Sequence, residues 1–259
     1  MDIYEMIEHV KENGYSYEWI ADKADISVDE VRKIFEGEIK SPNYITFSKL
    51  RKLFEEEDYM IREPLAAYLP QKQPGEFTIE DYYAIPDERR VELIDGVVCD
   101  MGAPTVGHQF ICSKLGFILD SYIQRNKGKC FVFISPCDVQ LNCDNRTMVQ
   151  PDVFVVCNKD KLNIKNLYGA PDFVIEILSP FTRKKDMTLK LAKYSEAGVR
   201  EYWIVDPKKK RIMAYNLENE ELPVIYTFND EVPVAIFGGK CKVNFAEIYN
   251  DIQFLYEKE

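Results

Sequence analysis

The run Phe173-Val-Ile-Glu-Ile-Leu178 constrains this chain more than any other stretch. It has the unbroken apolar character of a strand covered on both faces, yet it carries one acid, Glu176. A carboxylate at such a position is costly to bury without a partner. Asp152 repeats the pattern, following Pro151 and opening the apolar run Val153-Phe-Val-Val156. Glu92 does so again within Val91-Glu-Leu-Ile-Asp-Gly96. Beyond Glu176, Asp186, Lys190 and Tyr194 stand at i, i+4 and i+8, on one face of a helix. Three acids in apolar strands followed by a lysine suggest a hydrolytic site built around a divalent metal.

The rest of the chain supplies the frame. Residues 2–57 read as helices alone. They comprise an apolar face Ile3, Met6, Ile7, Val10 stopped by Asn13-Gly14, and a short helix Tyr17 to Ala24. A third helix opens on the capping box Ser27-Val-Asp-Glu30 and closes at Gly37, and a last one spans Thr46 to Glu57. Pro64, Pro70, Pro74 and Gly75 then punctuate a linker with a short helix near Leu65–Leu69. This gives domains at 1–60 and 76–259, joined by 61–75. The second domain alternates strand and helix. Asp95-Gly96 is a hairpin turn between 91–94 and 97–101, and a long helix runs from Gly107 to Asn126. Strands are expected at 130–134, 137–141, 152–157, 172–178 and 201–206, a helix at 184–197, and a closing hairpin at 211–216 and 224–228. The fold class is mixed α/β.

Composition narrows the chemistry. Only two histidines are present, His9 and His108, so a multi-histidine metal centre within one chain is excluded. A serine–histidine triad would have to use one of these two, and catalysis, if present, must lean on carboxylates and lysine. Seven cysteines, with no Cys-x-x-Cys pair, lie mostly in apolar runs and read as reduced buried thiols rather than zinc ligands or disulfides. No apolar run is long enough to span a bilayer and no signal peptide is visible, so a cytoplasmic protein is the expectation. The net charge of −11 is awkward for a nucleic-acid binder. It is uneven, −7 over residues 1–63 and −4 over the remainder, with basic runs at Arg183-Lys-Lys185 and Lys208-Lys-Lys-Arg211.

If 152–157 and 172–178 pair antiparallel, Asp152 and Glu176 meet at one end of the sheet. Hard oxygen ligands suit Mg²⁺ or Mn²⁺, which polarises a phosphoryl oxygen and activates water. The plainer alternative has Asp152 capping a turn and Glu176 facing solvent from an edge strand. Glu92 fits a third ligand and an exposed edge charge equally. Asp186 and Lys190 also fit an ordinary surface pair, and His108 fits a helix cap as well as a phosphate contact.

Together, Glu92-Leu-Ile-Asp-Gly96, His108 at a helix start, Pro151-Asp152, Glu176-Ile-Leu-Ser-Pro180, Asp186-x-x-x-Lys190-x-x-x-Tyr194 and Gly198-Val-Arg-Glu-Tyr-Trp-Ile-Val-Asp-Pro207 resemble the Uma-type restriction-endonuclease family of the PD-(D/E)xK nuclease superfamily. The resemblance covers residues 76–250. It implies a restriction-endonuclease-like mixed sheet flanked by helices, and Mg²⁺-dependent hydrolysis of DNA phosphodiesters by a metal-activated water, with no nucleotide cofactor and no membrane partner. It implies that Asp152, Glu176 and the backbone carbonyl of Ile177 hold the metal, that Glu92 assists, and that Lys190 supplies the signature lysine, supported by Asp186 and Tyr194. The superfamily lysine stands two residues after the glutamate, where this chain has Leu178; Lys184 and Lys185 are rivals to Lys190. His108, Arg183, Lys184 and Lys185 become candidate DNA contacts. Cutting both strands needs two sites, which a homodimer would provide. Residues Trp19–Gly37 and the helix after Ser41-Pro42 resemble a phage-repressor-type helix-turn-helix, with Arg32, Lys33 and Lys40 as DNA contacts; Asp29, Glu30, Glu36 and Glu38 surround those basics, so a protein-contact or dimerisation role fits equally. The alternative function is a non-catalytic DNA-binding regulator that keeps the nuclease fold as scaffold.

Overall fold

The computed structural model describes residues 6–7, 10, 15–39, 42, 46–47, 49–50, 53–54, 72–86, 89–141, 144–179, 182–219 and 222–256, apart from the Lys184 side chain. Lys40 and the helix expected at 65–69 lie outside them. The chain divides into two compact units, Met1–Pro64 and Leu65–Glu259.

In the first unit, α1 (Tyr17–Ala24) and α2 (Val28–Phe35) are each opened by a serine. Ser16 and Ser27 hydroxyls accept from the backbone N–H of Trp19 and Glu30, both at 3.2 Å. The capping box is only half made. The Glu30 carboxylate accepts from Thr46 Oγ1 at 2.8 Å, on a neighbouring helical segment, instead of turning back to its own N-cap. Ile20, Ala24, Val31 and Ile34 share a core with Met6, Leu50 and Phe54.

The second unit begins with α3 (Ile79–Ala84) and the hairpin β1 (Val91–Ile94) and β2 (Val97–Asp100). Asp95 and Gly96 both have positive φ, 50° and 77°, as a two-residue turn that follows strand twist requires. Gly96 is needed twice over, since a Cβ there would lie 2.5 Å from the Gly75 carbonyl oxygen. Next come α4 (Val106–Arg125), β3 (Phe131–Ile134), β4 (Val139–Gln140), β5 (Val153–Val156), β6 (Leu167–Tyr168) and β7 (Phe173–Ile177). A helical run, α5 (residues 183–197), joins an α-turn Arg183–Lys185, a π-segment Asp186–Lys190 and an α-helix Leu191–Ala197. β8 (Glu201–Asp206), β9 (Arg211–Asn216), β10 (Val224–Thr227), β11 (Glu231–Pro233), β12 (Lys242–Asn244), α6 (Phe245–Asn250) and α7 (Gln253–Tyr256) complete it.

Six strands form one sheet in the order β10-β9-β8-β7-β5-β3, antiparallel throughout except for β7 and β8. That parallel pair needs a crossover, which α5 supplies. Strand periodicity sorts the side chains. Phe173, Ile175 and Ile177 pack with Ile111, Leu115 and Leu119 of α4. Val174 packs with Phe154, Tyr194 and Tyr202 on the α5 side. Even-numbered positions of β7 therefore face α5, and Glu176 is one of them. The strand expected at 137–141 shortens to β4, which pairs with β6 in a separate two-stranded sheet. Among the described residues, no helix is long and apolar enough to cross a membrane.

One reading of the cysteines is corrected. Cys130 and Cys157 are joined by a disulfide, while Cys99, Cys112, Cys137 and Cys241 are free thiols. The pairing Phe131↔Val156 explains this, because one step further sets Cys130 directly opposite Cys157, with Cα atoms 4.0 Å apart. Spacing within a sequence does not display such cross-strand neighbours.

Candidate active site

The β5–β7 register, Val153↔Ile175, continues by one step to set Asp152 opposite Glu176. The expected antiparallel pairing is present, and both carboxylates stand at the same end of the central sheet. Asp152 Oδ2 accepts from the Ile177 backbone N–H at 2.8 Å and from His108 Nε2 at 3.0 Å. Its side chain keeps 13% exposure. Glu176 is 3% exposed, which removes the solvent-facing alternative. Its Oε1 accepts from Lys190 Nζ at 2.8 Å and from Tyr194 OH at 2.7 Å. Among the described residues, Asp152 Oδ1 and Glu176 Oε2 accept no hydrogen bond from the protein.

Lys190 is central to a buried ionic cluster. Its ammonium lies 2.8 Å from Glu92 Oε1, 2.8 Å from Glu176 Oε1 and 3.7 Å from Asp186 Oδ1. Glu92 is fully buried, so it is no exposed edge charge. Its Oε2 takes Lys185 Nζ at 2.6 Å, and its Oε1 also accepts the Gln150 N–H at 3.0 Å. Asp186, Lys190 and Tyr194 do share one face, but through a π-segment, a feature often found at functional sites. Asp186 Oδ1 is buried without a hydrogen bond.

The electrostatics follow from this packing. For Glu92, burial raises the pKa, but Lys185 and Lys190 overcome it and hold the carboxyl down at about 2. Burial pushes Glu176 well above the usual carboxylate range; Lys190 opposes, and Asp186, Asp152 and Glu92 reinforce. Burial likewise raises Asp186 to about 6, against Lys190 and Lys185. Lys190 itself is held protonated, since Glu176, Glu92 and Asp186 outweigh the cost of its burial.

These residues fit a divalent cation. Four carboxylates, Glu92, Asp152, Glu176 and Asp186, face two ammonium groups; ionising all four would leave a formal charge of −2, which burial penalises and which raises Glu176 and Asp186, and a divalent cation would offset it. The unengaged oxygens of Asp152 and Glu176 are hard donors, and the Ile177 N–H donates to Asp152, so its carbonyl, which in a strand points to the same edge as the N–H, is on the Asp152 side of the strand. A second donor set is less suited. His108, Cys112 and Asp152 offer ligand atoms within 4.8 Å of one another. However, the imidazole stands between the other two, Nε2 on Asp152 and Nδ1 3.5 Å from Cys112 Sγ. With the proton on Nε2, the imidazole donates to Asp152 and accepts from the Cys112 thiol, so these groups are satisfied by one another without an ion.

The remaining residues singled out from the sequence fall elsewhere. Arg183 does not project from the basic run as a free cation; its two terminal nitrogens each donate to Asp206 at 2.9 Å. Arg32 and Lys33 both pair with Asp29 at 2.7 Å. His108 lies on a carboxylate. Sequence reasoning missed Gln150 and Cys112. Cys112 carried a visible signal, one helical turn after His108. Gln150 carried none, because its task is to link Glu92 through its backbone and Arg90, Tyr82 and Asp138 through its side chain.

A mixed sheet with carboxylates converging at the end of its central strands, backed by a lysine from the crossover helix, is the architecture of a restriction-endonuclease-like nuclease fold. The chain belongs to the Uma2 family, described as "Putative restriction endonuclease", whose model matches residues 79–243. It is similar to the uncharacterized protein slr1290 of Synechocystis, 25% identical over an alignment of 201 residues, with 75% of this chain and 100% of that one covered. It also shares its fold with the crystal structure of "a putative nuclease belonging to DUF820" from Anabaena variabilis, with a TM-score of 0.57 and 19% identity over 67% of this chain and 98% of the other.

Proposed function

We propose that this protein is a metal-dependent DNA endonuclease that hydrolyses phosphodiester bonds at the Asp152–Glu176 end of the sheet. The observation that carries the reading is the pair of unengaged carboxylate oxygens beside a lysine buried against the same glutamate. Asp152, Glu176 and the Ile177 carbonyl would hold Mg²⁺ or Mn²⁺. When bound, such an ion supplies Lewis-acid charge to a phosphoryl oxygen and acidifies water. The chain's own residues do the positioning. His108 and the Ile177 N–H fix Asp152 through one oxygen and leave the other outward. Lys190 and Tyr194 fix Glu176 in the same way. Glu92 keeps Lys190 charged and in place, so its field acts on charge developing at the phosphate.

Plasmid nicking with Mg²⁺, Mn²⁺ or EDTA tests this. Cleavage should need the metal and fall at least ~100-fold in Asp152→Asn, in line with the loss of a preorganised catalytic group. Metal-independent nicking, or nicking that survives the substitution, sinks the proposal. The engagement of Lys190 by carboxylates favours one second reading, a DNA-binding regulator that does not cut. Duplex binding without nicking in any divalent metal would support it.

We read residues 1–60 as a helix-turn-helix domain, 61–75 as a linker and 76–259 as the nuclease domain. The Asp29 pairs of Arg32 and Lys33 argue for a protein-contact role of α2 over phosphate binding. Gel shift and sedimentation of the full chain with α2 charge variants separate the two.

A further inference from the structure

A nuclease on a chain of net charge −11 needs a local cationic surface to hold its substrate beside four carboxylates. In the first basic run, Arg183 is bound to Asp206 and Lys185 to Glu92, so neither of these two is available for it. The second basic run is differently placed. Lys208 and Lys209 are exposed in the β8–β9 turn, and among the described residues neither forms an ion pair. The ammonium of Lys210 lies 4.5 Å from the centre of the Tyr249 ring.

The parallel register fixes where this turn lies. Glu176 is level with Ile204 and Ile177 with Val205, so the turn leaves the sheet at the same end as the carboxylates. At 3.3 Å per residue, Lys208 is at most ~13 Å beyond the level of Glu176. Duplex DNA presents a phosphate every ~3.4 Å of axis per strand, so that reach is about three or four phosphates from the scissile one. The turn is also braced to the site. Asp206 accepts the Lys209 N–H at 3.1 Å and both Arg183 nitrogens, and Arg183 opens the helix that carries Lys185, Asp186 and Lys190.

We infer that the β8–β9 turn grips the backbone of duplex DNA next to the catalytic carboxylates, with Lys208 and Lys209 each on a phosphate. The inference rests on the nuclease reading and adds to it the surface that receives the substrate. Arg183 acts as the brace that aims the turn and does not itself touch DNA.

The test is fluorescence anisotropy of the full chain with a labelled duplex in EDTA across a salt series, repeated in Mg²⁺. Lys208→Gln with Lys209→Gln should lower the slope of log K against log salt by about 1.8 and weaken binding roughly 10- to 100-fold near 0.1 M salt. Lys208→Arg with Lys209→Arg should restore both. Lys129→Gln with Lys159→Gln removes two exposed lysines at the opposite end of the sheet and should change neither. Wild-type binding with an unchanged slope in the Lys208/Lys209 pair, or an equal effect from the distal pair, overturns this inference alone. A wild-type protein that binds no duplex in either condition overturns the nuclease reading together with it.

Discussion

Replacing Lys190 by methionine tests the ionic cluster most directly. The side chain is 2% exposed and almost isosteric with methionine up to its ammonium, so packing changes little. What is lost is charge. Glu92 and Glu176, each at 2.8 Å, lose their shared cation, and Asp186 at 3.7 Å loses its nearest one. Only Lys185 then faces three buried carboxylates. Removing one member of a buried ion pair costs about 3–5 kcal/mol, a large part of the ~5–15 kcal/mol that holds a domain together. For a unit of this size that is a fall in Tm of roughly 6–20 °C. The cost should shrink at low pH. Glu176 already holds its proton well above the usual range, and a neutral carboxyl no longer needs the ammonium. Urea denaturation followed by circular dichroism at pH 5 and pH 8 measures both effects. Adding Glu176→Gln to Lys190→Met should recover a good part of the loss at pH 8. A loss under about 1 kcal/mol at pH 8, or no recovery in the double variant, would show that Lys190 is not the buried counter-ion described here.

Asp186 gives a pH prediction of known sign. Its carboxyl is raised from 3.8 to about 6, chiefly by burial, so the folded state binds its proton more tightly than the unfolded chain does. Its stabilising contribution is complete below pH ~4 and is lost as pH rises through ~6, about 3 kcal/mol in all. Asp186→Asn should abolish that slope in urea midpoints taken from pH 4 to 7; an unchanged slope would mean the group titrates normally. Glu92, held at about 2, acts in the opposite sense and in a lower window, adding stability as pH rises from ~2 to ~4.5. Gly96→Ala should cost at least ~2 kcal/mol, since it combines positive φ with a clash against backbone. A thermal melt within 2 °C of wild type, which at this size means under about 1 kcal/mol, would contradict that account.

How much of this was legible beforehand depended on whether the information was local. Period-two and helical patterns revealed the strands, the long helix and the Asp95-Gly96 hairpin, since each is set by neighbours in sequence. The meeting of Asp152 with Glu176 was legible too, because an antiparallel pair of known ends leaves little freedom. The Cys130–Cys157 bond, the Asp206 brace and the Gln150 links were not, because each depends on a register or crossover that sequence spacing does not fix. The partners of Arg183 and Lys185 were hidden for a related reason. Charge in a sequence does not tell which cations will meet a buried acid, and here Arg183 and Lys185 both do.

The same geometry accounts for an apolar residue, Leu178, two positions after Glu176. A residue two positions after Glu176 on a strand points to the same face as Glu176. On this sheet that face is covered by α5, and Leu178 contributes to the apolar cluster beneath it. A lysine at 178 would need its own opening through that packing. Lys190 descends on the same face from above and reaches the same carboxylate at 2.8 Å. The π-segment Asp186–Lys190 widens the helix at the point where Asp186, Lys190 and Tyr194 must all be turned toward the strand. A lysine on the helix thus places its charge on the glutamate while position 178 stays in the core. The arrangement also makes the lysine depend on Glu92, its second partner. Glu92→Gln should accordingly weaken catalysis through the position and charge of Lys190 while leaving divalent-metal binding largely intact, and a metal affinity that falls as far as the activity would assign Glu92 to the metal instead.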